Sequence, residues 1–371
     1  MSLTRFKSFV IVFLALSASI LFFLIIDFFF GGQFSSSTKN LSENEKPYLQ
    51  AKYGWYELKK NFVGMDQFGP LIYSVVTDEH GFRKAPGTLI HQKHNVIFLG
   101  DSFTYGVNGP WNETFVGMFA SNTGAQVLNA GVSSYSPTPY LYQYRKALKE
   151  GVLSDQHTVI VGIDISDVQD EASYWFWDEG VEAHPRKMEI NKTLRATTVD
   201  FLPLTALIYR YLRYDLMASN ESRLSNLSDL PRSAFTWGEW SLLDKKTPLE
   251  VPAGYAPLGV EGGLKKVAQR LSTIVRLASE NKSKVYFLIY PWPAQIKHAD
   301  KFDWRGWVLS LCIKENCSGV VDTFPEFRGL ATQNKNWLTD YYLFNDVHFN
   351  ERGNQVISEN LVKAVSLHQL P

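Results

Sequence analysis

From His94 onward the chain alternates short, β-rich apolar runs with helix-length segments, and few architectures accept that alternation. Strands are predicted at 95–99, 125–130, 158–163, 284–290 and 319–322, and helices at 113–122, 137–150, 260–281, 303–315 and 351–367. Strands separated by helices read as parallel neighbours joined by crossovers, with helices covering both faces of one sheet. The segment 260–281 is the most regular, since Leu264, Val267, Leu271, Ile274, Val275 and Leu277 recur at helical spacing. A chain of 371 residues has room for one large domain with an insertion, or for two smaller ones.

Two regions break the alternation. Between the third and fourth strands lie roughly 90 residues, at about 165–256, more than a crossover helix needs. This insertion is rich in aromatics, with Tyr174, Trp175, Phe176, Trp177, Trp237 and Trp240. They can line a groove for a sugar chain or acyl group, or form the insertion's own small core. At the other end, Phe9 to Ile26 is uncharged and almost wholly apolar, behind Arg5 and Lys7. As a helix this run spans about 27 Å, close to the roughly 30 Å of a bilayer core. No small-x-small cleavage site follows it, so residues 1–30 are expected to be an uncleaved transmembrane anchor. The basic flank stays in the cytoplasm, which puts the rest outside it, periplasmic or at the cell surface. Residues 31–47 read as a linker and 48–371 as the folded domain, with 51–92 a lead-in packed upon it.

Charge narrows the function. Lys+Arg and Asp+Glu are both 37, so no net field recruits nucleic acid, and no nucleic-acid partner is expected. The two cysteines, Cys312 and Cys317, read in an exported domain as a disulfide closing a helix end, with free buried thiols as the alternative. Asp164, Asp167, Asp170 and Glu171 lack the glycine turn and dense ligand spacing of an oxygen-rich cation loop, and read as acids at a helix start. Neither a metal nor a cofactor is expected.

Loops at the carboxyl ends of parallel strands share one edge of the sheet, where open α/β folds place ligands. Gly100-Asp101-Ser102, Asn129-Ala130-Gly131 and Gly162-Ile163-Asp164 fall at three such ends. Ser102, at a helix start, is a cap or a nucleophile. The hydrolase elbow G-x-S-x-G is only half matched, since Thr104 stands at the second glycine. A base is offered by His348 in NDVHFNERGN, with Asp346 two residues earlier to orient the imidazole. The other histidines have no partner pattern.

With GDSFTYG, the glycine block at 129–131, GID at 162–164 and DVH before the last helix, the chain resembles the SGNH hydrolases, the GDSL-type esterases and acyltransferases, over about residues 94–367. The resemblance implies a flavodoxin-like three-layer αβα sandwich on a five-stranded parallel sheet, with Ser102, His348 and Asp346 as catalytic triad. It implies an oxyanion hole from the N–H groups of Ser102 and Gly131 and a side-chain amide in the third block. That amide falls on Asp164, whose ionised carboxylate repels an oxyanion. Either Asp164 is protonated in a dry site, or it points away while another donor serves, or the block is offset.

The expected function is that of a serine esterase or O-acyltransferase, with an acyl-Ser102 intermediate passed to water or to a sugar hydroxyl. The expected substrate is an ester-linked acyl group, acetyl first, on a glycan. The alternatives are a lipid esterase, or a non-catalytic scaffold or glycan-binding protein that kept the fold and docks a membrane-bound acyltransferase.

Overall fold

The computed structural model describes residues 3–35, 41, 45–50, 56–68, 71–88, 93–175, 205, 255–297, 302–343 and 346–366. Most of the insertion expected at 165–256, with Phe176, Trp177, Trp237 and Trp240, lies outside the described residues. The chain forms two compact units, Met1–Asn40 with Ala183–Asp229, and Leu41–Glu182 with Leu230–Pro371.

In the first unit, helix α1 (Leu3–Ser35) contains the apolar run. Asp27 is buried in it, and its carboxylate accepts from the Thr205 N–H at 2.6 Å and the Thr205 hydroxyl at 2.5 Å. Those bonds offset the cost of burying a carboxylate among apolar side chains. Among the described residues no helix is long and apolar enough to cross a membrane, so the structure does not supply the transmembrane anchor expected over residues 1–30.

The second unit begins with two antiparallel pairs, β1 (Tyr48–Gln50) with β2 (Tyr56–Leu58) and β3 (Val63–Phe68) with β4 (Leu71–Val76). The regular part then runs β5 (His94–Leu99), α2 (Ser102–Tyr105), α3 (Phe115–Thr123), β6 (Val127–Asn129), α4 (Pro137–Lys149), β7 (Leu153–Ile163) and α5 (Ser166–Ser173). After the insertion come α6 (Gly259–Glu280), β8 (Lys284–Ile289), α7 (Pro293–Lys297), α8 (Trp304–Glu315), β9 (Gly319–Asp322), α9 (Phe324–Gln333), α10 (Trp337–Tyr341) and α11 (Glu351–Ser366).

The five later strands form one parallel sheet in the order β6-β5-β7-β8-β9. This is the flavodoxin-like order, in which the connection reverses direction at β5 and opens a crevice at the carboxyl ends of β5 and β7. Val96 to Leu99 on β5 and Val159 to Val161 on β7 are fully buried, as a strand covered on both faces requires. Helices α3 and α11 pack together as one group, and α4, α5 and α6 as another. On α6, Val267, Leu271, Ile274 and Val275 are buried, and each contributes about 1.5–3 kcal/mol of apolar burial. Cys312 and Cys317 are bonded to each other across the end of α8, where Asn316 takes the left-handed conformation at φ 56°.

Register fixes the height of the sheet edge. Phe98 on β5 pairs with Asn129 on β6 and with Ile160 on β7. Two residues beyond each partner stand Gly100, Gly131 and Gly162, which therefore lie level with one another.

Candidate active site

The apolar run of β5 ends at Gly100, and the chain turns into α2 with Asp101 as its cap, accepting from the Phe103 N–H at 2.9 Å. A side-chain acceptor at this position satisfies one of the helix's unpaired N–H groups. Thr104, fully buried, sits in a socket made by the three level glycines. A Cβ at Gly100 would meet the Thr104 side chain at 2.0 Å, one at Gly162 the Thr104 hydroxyl at 2.8 Å, and one at Gly131 the Tyr105 N at 2.6 Å. The glycines thus let α2 sit directly on the sheet edge, and Thr104 fills the place that a second elbow glycine leaves open.

The lead-in clamps the same helix from behind. Buried Arg83 donates to the carbonyls of Tyr105 at 2.5 Å, Gly106 at 2.8 Å and Gly109 at 2.7 Å. A cation here satisfies carbonyls at and beyond the end of α2. Asp66 on β3 accepts from the hydroxyls of Tyr48 at 3.0 Å, Tyr73 at 3.1 Å and Tyr105 at 2.7 Å. Phe68, at the end of β3, sets its ring edge-on to His348 at 4.9 Å between centroids.

Ser102, His348 and Asp346 come together although 246 residues separate the first two. Ser102 Oγ lies 2.7 Å from His348 Nε2, and His348 Nδ1 lies 2.5 Å from Asp346 Oδ1. The same Asp346 oxygen accepts the His348 backbone N–H at 2.9 Å, which fixes the turn. Phe103 packs its ring against the imidazole at 4.4 Å. Burial pushes the Asp346 carboxyl up, but the hydrogen bonds and charge of His348 outweigh it, and the net shift is downward. Asp346 is therefore the ionised partner that holds Nδ1–H, leaving Nε2 to take the serine proton.

The other two expected members of the oxyanion hole are placed differently. Gly131 N–H donates to Asn129 Oδ1 at 2.9 Å and so is already engaged. Asp164, buried, accepts from the Ser166 N–H at 2.8 Å, the Ser166 hydroxyl at 2.6 Å and the Trp292 indole N–H at 2.9 Å. Of the three arrangements open for Asp164, the side chain is turned to the α5 start and to Trp292, where it orders two walls of the cleft. Ser102 keeps its own N–H at the first position of α2, where no intrahelical acceptor exists.

A cavity of about 200 Å³ opens beside the triad. Phe103, Tyr135, Trp292 and Val347 supply its apolar wall, and Asp101, Ser102, Ser134, Ser166, Asp170 and His348 its polar one. Among the described residues five acids crowd this edge. Burial, then the charge of Asp164, pushes Asp101 up; burial, then Asp164 and Asp101, pushes Asp167 up. Burial raises Glu171 too, against hydrogen bonds from Ser136 and Thr138. Among the described residues no group of three or more His, Cys, Asp or Glu side chains is arranged to hold a metal ion.

Several of these residues escaped the sequence reading. Phe68 carries no signal, because only the hairpin's packing brings it to His348. Ser134 and Ser166 carry none either; Trp292, in the Tyr-Pro-Trp-Pro turn that ends β8, reads from the sequence as a wall of an acyl or sugar pocket or as a stiff turn beside the core, and Asp170 as a helix-start acid.

No protein-family model matches the chain, and no curated protein matches it. Among solved structures it is similar to a member of the lipolytic protein G-D-S-L family from Veillonella parvula DSM 2008, at 12% identity and a TM-score of 0.40, over 73% of this chain and 97% of that one. It is also similar to a catalytic mutant of an acetylxylan esterase from Geobacillus stearothermophilus, at 11% identity and a TM-score of 0.40, over 75% and 96% of the two chains. Likeness at that level carries no argument for function, which rests on the sheet order and the triad.

Proposed function

We propose that the chain is a serine esterase or O-acyltransferase of the SGNH type, working through an acyl-Ser102 intermediate. The observation that carries this reading is the hydrogen-bonded series Ser102–His348–Asp346 at the carboxyl edge of a flavodoxin-like sheet, facing a cavity. Ser102 Oγ attacks the ester carbonyl carbon while its proton passes to His348 Nε2, and the carbonyl π pair moves onto oxygen. As the carbonyl re-forms, the bond to the leaving alkoxide breaks and His348 returns the proton to it. Water or a sugar hydroxyl then repeats the sequence on the acyl-enzyme, with His348 again as base.

The cavity, at about 200 Å³, is smaller than the roughly 300–1,000 Å³ of drug-sized sites. That size supports a short acyl group such as acetyl over a long lipid chain, and the hydroxyls of Ser134 and Ser166 support a polyhydroxylated carrier such as a glycan. The sequence, with its uncharged run Phe9 to Ile26 behind Arg5 and Lys7, supports a membrane anchor with the domain outside the cytoplasm, and a membrane-bound acyltransferase is then the partner such a domain serves.

Hydrolysis and transfer are separated by incubating the protein with p-nitrophenyl acetate, alone and with a neutral xylo-oligosaccharide. Free acetate in both mixtures identifies an esterase, and acetylated sugar identifies a transferase. Absence of p-nitrophenol release above that of Ser102→Ala points instead to the non-catalytic scaffold.

A further inference from the structure

With Gly131 N–H engaged and Asp164 turned to its own donors, the Ser102 N–H is left without the partners that an oxyanion hole needs. Among the described residues, one acid of the same cavity is uncommitted. Asp170 stands one helical turn beyond Ser166 on α5, lines the cavity with Ser102 and His348, and is half-buried. Every other acid of this edge is hydrogen-bonded: Asp101 to Phe103 N and Tyr290, Asp164 to Ser166 and Trp292, Asp167 to Asp164 N and Tyr140, and Glu171 to Ser136 and Thr138. Among the described residues no donor serves the Asp170 carboxyl.

We propose that Asp170, as a neutral carboxylic acid, donates its O–H to the oxygen that becomes negative when Ser102 attacks. The proposal rests on the esterase reading above. In the step, the Ser102 Oγ–carbon bond forms, the π pair goes to the carbonyl oxygen, and that oxygen accepts the Asp170 O–H without taking its proton. On collapse the pair returns, the leaving alkoxide departs with the proton from His348, and Asp170 is unchanged.

The surroundings favour the neutral form. Asp164 after β7 and Glu171 on α5 bring negative charge to Asp170, and Asp101 in the β5–α2 turn is itself pushed up by burial and by the charge of Asp164. Tyr56 on β2, Tyr135 ahead of α4 and Tyr174 just after α5 are uncharged neighbours, and Lys266 on α6 acts on Glu171. Among the described residues the imidazole of His348 is the one basic group on the cavity wall. Burial, then Asp164 and Glu171, pushes the Asp170 carboxyl up to about 8. A carboxyl kept neutral in this way is a hydrogen-bond donor at neutral pH.

The test follows the rate at which a fluorophosphonate, whose phosphoryl oxygen occupies the oxyanion position, modifies Ser102 in the full chain between pH 6 and 10. Wild type, Asp170→Asn and Asp170→Ala are compared. The wild-type rate is expected to fall above about pH 8 as the donor ionises, whereas Asp170→Asn keeps an N–H donor and loses that fall. Asp170→Ala is expected to be about 100-fold slower at pH 7. A decline that persists in Asp170→Asn, an Asp170→Asn rate as low as that of Asp170→Ala, or wild-type labelling of Asp170→Ala overturns the proposal. The Asp170→Asn profile decides even where Asp170→Ala does not fold. If wild-type Ser102 takes no probe at any pH, the esterase reading falls and this proposal with it; labelling with an unaltered profile defeats this proposal alone.

Discussion

The indole N–H of Trp292 donates to the Asp164 carboxylate at 2.9 Å, tying the end of β7 to the turn after β8. Asp164 is thus a positioning residue, oriented by three donors. An asparagine at 164 would keep one acceptor and set its amide N–H₂ against a donor, at a cost of about 1–3 kcal/mol. Relief of repulsion among the acids offsets part of that cost, but it also lets Asp170 ionise at lower pH. Asp164→Asn is therefore expected to lower kcat/KM for p-nitrophenyl acetate and never to raise it. A gain near 100-fold, the size expected when a missing oxyanion donor is restored, would contradict the placement.

Arg83 is expected to matter for the reactivity of Ser102 without touching it. Its guanidinium serves three buried carbonyls at the end of α2, and Arg83→Met leaves them unpaired. The loss is on the order of 3 kcal/mol or more. Urea unfolding should show a lower midpoint with an unchanged slope, and probe labelling of the folded variant should slow.

Gly131→Ala tests the glycine socket. The new Cβ would meet the Tyr105 backbone N at 2.6 Å, where nothing flexible can give way. Overpacking of this kind costs about 1–3 kcal/mol, and the shift falls on α2. The expected result is a stable protein with much reduced Ser102 labelling; a variant as reactive as wild type would mean that α2 is not seated by this contact.

Asp170 has a consequence for stability as well as rate. Its folded pKa, about 8, lies above the ordinary value of 3.8, so the folded state binds the proton more tightly than the unfolded one. Its contribution is complete below about pH 4 and is lost as pH rises to about 8. Asp170→Asn is not subject to this loss. Melting temperatures of the two proteins should therefore diverge in favour of the variant between pH 4 and 8 and stay parallel above that; curves parallel throughout would contradict the raised pKa.

The sheet was legible because buried parallel strands are short apolar runs and their helices have clear periods, as at Val96 to Leu99 and along α6. The hydrogen-bonded series was legible because Ser102 opens a short helix after a strand, and His348 stands just before α11 with Asp346 two residues earlier. The two antiparallel pairs of the lead-in were not. Strands of three residues carry little pattern, and on β3 the inward position is Asp66, a carboxylate buried only because three tyrosines serve it. Asp170 was hidden for a related reason: its role depends on which acids around it are already hydrogen-bonded, and spacing does not encode that.

The most direct test of the account is to treat the full chain with a fluorophosphonate at neutral pH and locate the adduct by peptide mass spectrometry. A single adduct on Ser102 is expected, abolished by His348→Ala and strongly slowed by Asp346→Asn, since each removes a member of the hydrogen-bonded series. An adduct on another residue, or labelling of Ser102 that is indifferent to His348, would contradict it.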